Sequence, residues 1–481
     1  MHSLRVLLFA AATVPASGQT PTRAALHKGA LVITNVSVVP MTSERVTPDA
    51  AVIVRDGRIA WIGPRRELKA PTGARVIDGR GGFLMPGLAD MHTHLFSDGD
   101  EVADSAGPSE LAVMLANGVT VARLMIGTPE QLVLRRDVIA GKIVGPQLWV
   151  ASPQLTGRPS ENAMVVTSGP QARAAVRKAV ADGYDFIKLT TDINAEVYDA
   201  VADEAKQRGI RVVGHVEPEV GVVRALVAGQ QLEHLDSYLE AALADSAPMT
   251  KCLTQGGVFT MSNWRCLDYI DESKIARLAG ATARAGVFIG PTQNVFNTSF
   301  AIGESDSLVR ARPDYAFWPP KMRALYHRAH ARYWAPANDT IRTAARRQKY
   351  VDVRNRLVKA IQDSGGKILA GSDTPEWFHT YGYALHRELQ ALVGAGLSPY
   401  QAIVAATRAP AEFLRASADW GTLETGKRAD FVLVSANPLA DVRNTAHIQA
   451  VSTGGAWYSR AQLDSMLTRA RHVIAAATAQ Q

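Results

Sequence analysis

Phe83-Leu84-Met85-Pro86-Gly87-Leu88-Ala89-Asp90-Met91-His92-Thr93-His94 is an apolar run that ends in two histidines. It reads as a strand, Phe83–His94. Residues two apart on a strand point to the same face, so His92 and His94 leave the strand end together. Alone, a His-x-His pair is a weak sign, more often structural than chemical. The rest of the chain gives it weight. Seven further strand candidates follow: Val119–Met125, Gln147–Ser152, Phe186–Thr191, Arg211–Val216, Leu232–Leu235, Val287–Pro291 and Lys367–Ser372. Helical patterns such as Ser109–Gly118, Gly169–Gly183 and Asn194–Gly209 lie between them. Most end in glycine, as a helix C′ position should. This alternation predicts an α/β fold, a (β/α)8 barrel. An open doubly wound sheet is the alternative, but no G-x-G-x-x-G follows the first strand.

Outward from the barrel, residues 30–84 hold short β-branched runs separated by Asp56-Gly57 and Asp78-Gly79, which are hairpin signals. Residues 421–458 look alike. The two ends are expected to meet in one small β-sandwich domain, 29–84 with 416–465. The barrel then spans 85–415, and 466–481 are left as a tail. At the start, Arg5, the apolar run Val6–Val14 and Ala16-Ser17-Gly18 read as a signal peptide over residues 1–18, which implies a secreted or periplasmic protein. A buried apolar strand is the alternative. A membrane span is not expected, because the run falls far short of the ~20 residues that crossing needs.

The 481 residues are 47% hydrophobic and 20% charged, which excludes disorder as the main state and allows a large core. Two cysteines exclude a disulfide scaffold and most zinc knuckles. In an oxidising compartment Cys252 and Cys266 can pair; two separate buried thiols are the alternative. The excess of 52 Lys+Arg over 45 Asp+Glu, +7, is mild. It leaves room for an acidic substrate but does not suggest a nucleic-acid partner.

Barrel chemistry sits at the C-terminal ends of strands. Besides His92 and His94, Lys188 lies in the fourth strand, His215 ends the fifth, His234 the sixth and Asp373 the eighth. A lysine in the apolar frame Phe-Ile-Lys-Leu is the oddest, since burying an ammonium is costly unless it is paired or neutralised. The joint pattern is what is specific. The stretch 294–350 is longer than an ordinary βα connection. Arg310 to Arg356 hold 12 Lys+Arg against 3 Asp+Glu, interleaved with Tyr315, Phe317, Trp318, Tyr326, Tyr333 and Trp334 and broken by Pro313, Pro319, Pro320 and Pro336. It reads as a lid or, equally, as a solvated helical hairpin. As a lid, it would turn Arg310, Arg312, Lys321, Arg323, Arg328 and Arg332 toward a substrate carboxylate.

These residues together resemble the amidohydrolase superfamily. Leu84–His94 resembles its first-strand signature. Asn117-Gly118-Val119-Thr120 and Ala370-Gly371-Ser372-Asp373-Thr374 are similar to its second and eighth strands. Gly426-Lys427-Arg428-Ala429-Asp430, followed by Asn437-Pro438-Leu439, is similar to its C-terminal β segment. The similarity runs from about residue 30 to 460 and lies nearest the imidazolonepropionase-like branch, which includes exported, prolidase-like dipeptidases. The chain departs from that branch at Ala122-Arg123-Leu124, where Thr-Val-Arg-Asp is frequent, and in the basic lid.

The resemblance implies a binuclear zinc centre. His92, His94 and Asp373 would hold one metal, His215 and His234 the other, and Lys188, carboxylated by CO2, would bridge them. Imidazoles suit zinc, and burial lowers an amine's pKa so that it can react as the neutral form. A shared water would become hydroxide near neutral pH and attack a carbonyl. Asp373 would take its proton and deliver it to the leaving nitrogen. Tyr238, Gln154, Gln293 and Trp377 are the candidate substrate contacts; His386 reads as structural. The expected activity is hydrolysis of a dipeptide, an X-Pro peptide or an N-acyl amino acid, a small molecule bearing a carboxylate. The alternative is a cyclic amide, a lactone or a phosphotriester on the same centre. A non-catalytic barrel is disfavoured, because no ligand position is lost. A homo-oligomer stays open.

Overall fold

The computed structural model describes residues 29–95, 107–160, 162–252, 263–334 and 343–476. The expected signal segment 1–18 and Pro336 lie outside them. The chain begins with β1 (Leu31–Val38), β2 (Thr47–Arg55), β3 (Arg58–Pro64), β4 (Arg75–Asp78) and β5 (Phe83–Pro86). The opening stretch is thus not one strand. It splits at Gly87 into β5 and β6 (Leu88–Thr93). Pro86 offers no N–H to continue a ladder. Gly87 donates to Asp430 O at 3.0 Å while Leu88 donates to Gly118 O at 2.9 Å, so neighbouring residues bond into two different sheets.

The first sheet is built from both chain ends. β16 (Phe431–Val434), β17 (Ile448–Thr453) and β18 (Ala456–Ser459) join β1–β5 in the order β18-β17-β16-β5-β1-β2-β3, with β4 beside β1. β5 pairs antiparallel with β16, Phe431 facing Pro86. Asp56-Gly57 makes the expected hairpin between β2 and β3, both residues at positive φ. Asp78-Gly79 does not: β4 runs parallel to β1. Alternation along β1 sends Leu31 and Ile33 into a core with Val52, Val54, Phe431 and Trp457, and Val32 to the other face, the period-2 pattern of a sheet with both faces in use. The curled mixed sheet resembles a β-sandwich.

The second unit is the barrel. After β6 come β7 (Val119–Leu124), β8 (Gln147–Val150), a short inserted pair β9 (Gln154–Thr156) and β10 (Ala163–Val165), then β11 (Phe186–Leu189), β12 (Arg211–Gly214), β13 (Gln231–Glu233), β14 (Phe288–Gly290) and β15 (Lys367–Ile368). Every pairing in it is parallel. A bridge from Ala151 to Phe186 joins β8 to β11. The ring closes where 370–374 run along β6: Met91 donates to Ala370 O at 2.9 Å, Asp373 to His92 O at 2.7 Å and His94 to Thr374 O at 2.6 Å. All eight expected strands are present, shorter than their apolar runs. Ala89, Met91, Val121, Phe186, Val213 and Leu369 form one buried cluster with Phe413 and Trp420.

Residues expected as a tail instead form the helix Arg460–Ala476. It buries Leu463, Met466, Ala470 and Ile474, a 3-4 spacing that makes one apolar stripe, and it packs on the helix Gly107–Ala116. None of the described helices is long and apolar enough to cross a membrane.

Candidate metal centre at the barrel mouth

β6 carries His92 to the open end of the ring, and His94 follows one residue past it. Their Nε2 atoms lie 3.3 and 3.5 Å from one oxygen of Asp373. One donor atom from each of the three residues falls within 4.8 Å of the others. His234 closes in from β13, its Nδ1 3.8 Å from the second Asp373 oxygen. Its ring sits 4.7 Å from those of both His92 and His215. Lys188 is buried in β11. Burial pushes its ammonium down to about 8, against the pull of Glu233 and Asp373. His92, His94 and Asp373 thus meet at one point, with the rings of His234 and His215 next to it.

The imidazoles of His92, His215 and His234 turn Nδ1 to a surrounding set of oxygens. Asp236 Oδ2 lies 2.8 Å from His215 Nδ1 and Thr292 Oγ1 2.7 Å from His234 Nδ1. Glu233 Oε2 stands 2.9 Å from His92 Nδ1, off the line of a hydrogen bond. Such partners fix a ring's tautomer and its aim. Asp90 fixes the loop itself, accepting from Ser372 N at 2.9 Å and Ser372 Oγ at 2.5 Å. Backbone strain gathers here too. His234, Leu235, Ser237, Thr292, Asp373, Trp377 and Phe378 all have positive φ, an uncommon state for side-chain-bearing residues that clusters at functional sites. Gly371 is required by crowding: a Cβ there would stand 2.6 Å from that of His92.

The donor set fits a divalent metal. Two imidazoles and a carboxylate are the ligand types of zinc and its neighbours. Burial holds His92 and His94 below the usual imidazole range, so their nitrogens keep lone pairs. For Asp373 burial acts to raise the pKa, but His92 and His94 outweigh it and keep the carboxyl low. His94 Nδ1 is buried without a hydrogen-bond partner among the described residues.

A cleft that opens to solvent runs from His234 between the loops after β12, β13 and β14. Trp264, Phe296, Phe300, Tyr333 and Tyr350 give its wall an aromatic side. None of the four expected contacts is in that lining. Tyr238 is fully buried behind it, its hydroxyl 2.6 Å from Thr282 Oγ1, because the short helix Tyr238–Ala241 rotates it toward the helix Glu272–Ala285. Gln293 is fully buried and bonds Asn355 at 2.7 Å and Arg354 at 3.2 Å. Gln154 lies in β9 and is also outside the lining. Trp377 sits above, its ring 5.5 and 5.6 Å from those of Phe300 and Tyr333. The basic residues turn away. Arg310, Lys321, Arg328 and Arg332 are exposed. Arg312 pairs with Glu304, and Arg323 stacks on Tyr315 and donates to Ala316 O. Among its described residues, the segment lines the site with Phe296, Phe300 and Tyr333 and leaves its basic groups exposed or paired, where a charge keeps its hydration or gains a partner.

Sequence reasoning missed Glu233, Asp236, Thr292 and Arg123. The one signal was the departure at Ala122-Arg123-Leu124. Arg123 is wholly buried and donates to Gln231 Oε1 at 2.7 Å and Glu233 Oε1 at 2.5 Å.

Residues 83–457 match the model of the Amidohydrolase family. The chain belongs to this family. Among curated relatives, this amidohydrolase is 49% identical to an imidazolonepropionase of Shewanella frigidimarina over 44% of its own length and 64% of the relative's. It is 43% identical to one from Anaeromyxobacter sp. (strain K) over 20% and 25%. It therefore covers less than two thirds of either relative. Among solved structures, a bottromycin amidohydrolase superposes with a TM-score of 0.71 at 23% identity, over 92% of this chain and 90% of that one. A Xaa-Pro dipeptidase with bound methionine gives 0.62 at 19%, over 90% and 100%. At these identities the two structures share the amidohydrolase's fold.

Proposed function

We propose that the chain is a metal-dependent hydrolase that opens a carbonyl–nitrogen bond, with a cyclic amide as the favoured substrate class. The observation that carries this is the approach of His92, His94 and Asp373 within 4.8 Å at the barrel mouth. The preference for a cyclic amide is supported by the sequence relatives named imidazolonepropionase. These three residues would hold the first ion. His215, His234 and Lys188, the last as a CO2-derived carbamate, would hold a second. When bound, such ions polarise a carbonyl and lower the pKa of water. Asp373 is kept anionic by the histidines around it, so it can accept a proton from attacking water and pass it to the leaving nitrogen. Glu233 and Asp236 hold the imidazoles in place while this happens.

A second reading, an open-chain dipeptide or N-acyl amino acid, draws on the cleft beyond His234, which leads from the cluster to solvent. Export belongs to the proposal as well: a disulfide joining Cys252 and Cys266 suits an oxidising compartment.

Metal analysis with a substrate panel tests all of this. The panel holds hydantoins, lactones, a phosphotriester, N-acyl amino acids and X-Pro dipeptides. Turnover of cyclic amides, abolished by a chelator and by Asp373→Asn, is the expected result. A fully active Asp373→Asn protein overturns the mechanism, and exclusive turnover of open-chain substrates replaces the first reading with the second. Two metal equivalents falling to one in Lys188→Ala support the bridged pair. One equivalent with Lys188→Ala fully active overturns it.

A further inference from the structure

We infer that the substrate carries a bulky apolar or aromatic group without negative charge, which sits in the cavity beyond His234. This rests on the hydrolase reading above and adds what the substrate looks like away from the bond that breaks. His234 is both part of the convergent cluster and part of the cavity lining, so a group in the cavity is continuous with the reacting end. The aromatic side of the wall is Trp264, Phe296, Phe300, Tyr333 and Tyr350. Rings of this kind favour another flat or bulky apolar group through area and edge-to-face contact.

Arg354, Asp236 and Glu240 are the charged groups on the lining, and the cation among them is already committed. Arg354 spends Nε on Gln293 at 3.2 Å, Nη1 on His234 O at 2.8 Å and Nη2 on Pro291 O at 2.7 Å, and its face lies 4.2 Å from the Phe296 ring. Asp236 spends one oxygen on His215. The lid bases that would have recruited an acid are turned outward or paired. A carboxylate in this cavity would lose its water without gaining a free cation.

The wall is also preformed. Trp264 stacks on Tyr350 at 4.4 Å, two residues from the disulfide cysteine Cys266. Tyr333 holds Phe300 by a hydroxyl bond to its carbonyl at 3.0 Å. A slot already ordered binds without the cost of ordering it.

The test is a matched series on the metal-loaded full chain: 5-methyl-, 5-isobutyl-, 5-benzyl- and 5-(2-carboxyethyl)hydantoin, with N-acetyl-alanine, -leucine, -phenylalanine and -glutamate beside them. From methyl to benzyl, kcat/KM should rise ~30- to 100-fold, the scale of a filled apolar pocket; the carboxyethyl compound should do no better than methyl. In Phe300→Ala the benzyl-to-methyl ratio should fall at least ~5-fold, and Phe300→Leu serves if that variant does not fold. Binding of 3-phenylpropionamide against propionamide, read by tryptophan fluorescence, tests the cavity without hydrolysis. A flat series, or one led by the carboxyethyl compound, overturns this inference and leaves the hydrolase reading standing. Selective binding of phenylpropionamide with no turnover of any substrate keeps the inference and removes the hydrolase reading.

Discussion

Glu233 Oε2 stands 2.9 Å from Nδ1 of His92, while its other oxygen accepts from Arg123 at 2.5 Å. A metal-ligand imidazole is thus backed by a buried carboxylate, and the carboxylate by a buried guanidinium. Arg123 also donates to Met91 O at 2.5 Å, so the chain of contacts returns to the strand that bears His92. All three side chains are almost wholly shielded from solvent.

Removing that carboxylate's charge should loosen the ligand before it unfolds the barrel. Glu233→Gln is expected to weaken metal affinity ~10- to 100-fold, the scale seen when a ligand's orienting partner is lost. Glu233→Leu strands the Arg123 charge in the interior and should cost about 3–5 kcal/mol of stability. Metal titration against a competing chelator, with urea unfolding alongside, separates the two effects. Unchanged affinity in Glu233→Gln would show that His92 needs no such support.

The same relationship can be disturbed from the neighbouring strand. A Cβ on Gly290 would press into the Glu233 carboxylate. Gly290→Ala should therefore lower metal affinity in the same sense as Glu233→Gln, with far-UV circular dichroism unchanged. Gly394→Ala is the control. Its Cβ meets nothing within 4 Å, at the end of the helix Tyr383–Gly394, and it should be neutral or stabilise by up to about 1 kcal/mol. Equal metal affinity in both variants would remove the steric argument.

The ligands were legible because of their place in apolar runs that the chain repeats: His92, His94, His215, His234 and Asp373 fall where such runs stop, and Lys188 interrupts one. Their partners were not legible. Arg123 meets Glu233 across 110 positions of sequence, and nothing local to either residue announces the other. Charge counting over 310–356 gave the sign of the lid but not its facing, since outward and inward arginines have the same composition. Tyr238 failed for a smaller reason, the rotation of a four-residue helix. The helix Arg460–Ala476 was readable from Leu463, Met466, Ala470 and Ile474 and was overlooked beside the stronger β pattern before it.

The disulfide is expected to hold stability and cavity wall together. Cys252 and Cys266 close a loop of 14 positions with Cα atoms 5.7 Å apart. In the chain-entropy model a loop of that size contributes about 3 kcal/mol. The double variant Cys252→Ser/Cys266→Ser should lose about 2–3 kcal/mol in urea unfolding. Dithiothreitol should lower the wild-type midpoint and leave the variant's unchanged. Identical midpoints for oxidised, reduced and variant proteins would show that the link adds nothing.

Acid should unfold the chain partly through a histidine far from the candidate centre. His386 is buried, with Nε2 3.0 Å from Asn117 O and Nδ1 2.9 Å from Thr445 Oγ1. Burial pushes its pKa from the ordinary 6.5 down to about 4, although the Asn117 carbonyl acts in the opposite direction. Below pH 6.5 the unfolded chain binds a proton that the folded chain refuses. Stability from this residue is therefore complete above about 6.5, falls as the pH drops toward about 4, and levels off below that. A displacement of that size is worth roughly 3 kcal/mol. His386→Gln cannot take up the proton in either state. Urea unfolding of both proteins between pH 4 and 7 should show the wild type losing up to roughly 3 kcal/mol more than the variant across the window. Parallel pH profiles would show that His386 is not the residue through which this part of the acid sensitivity runs.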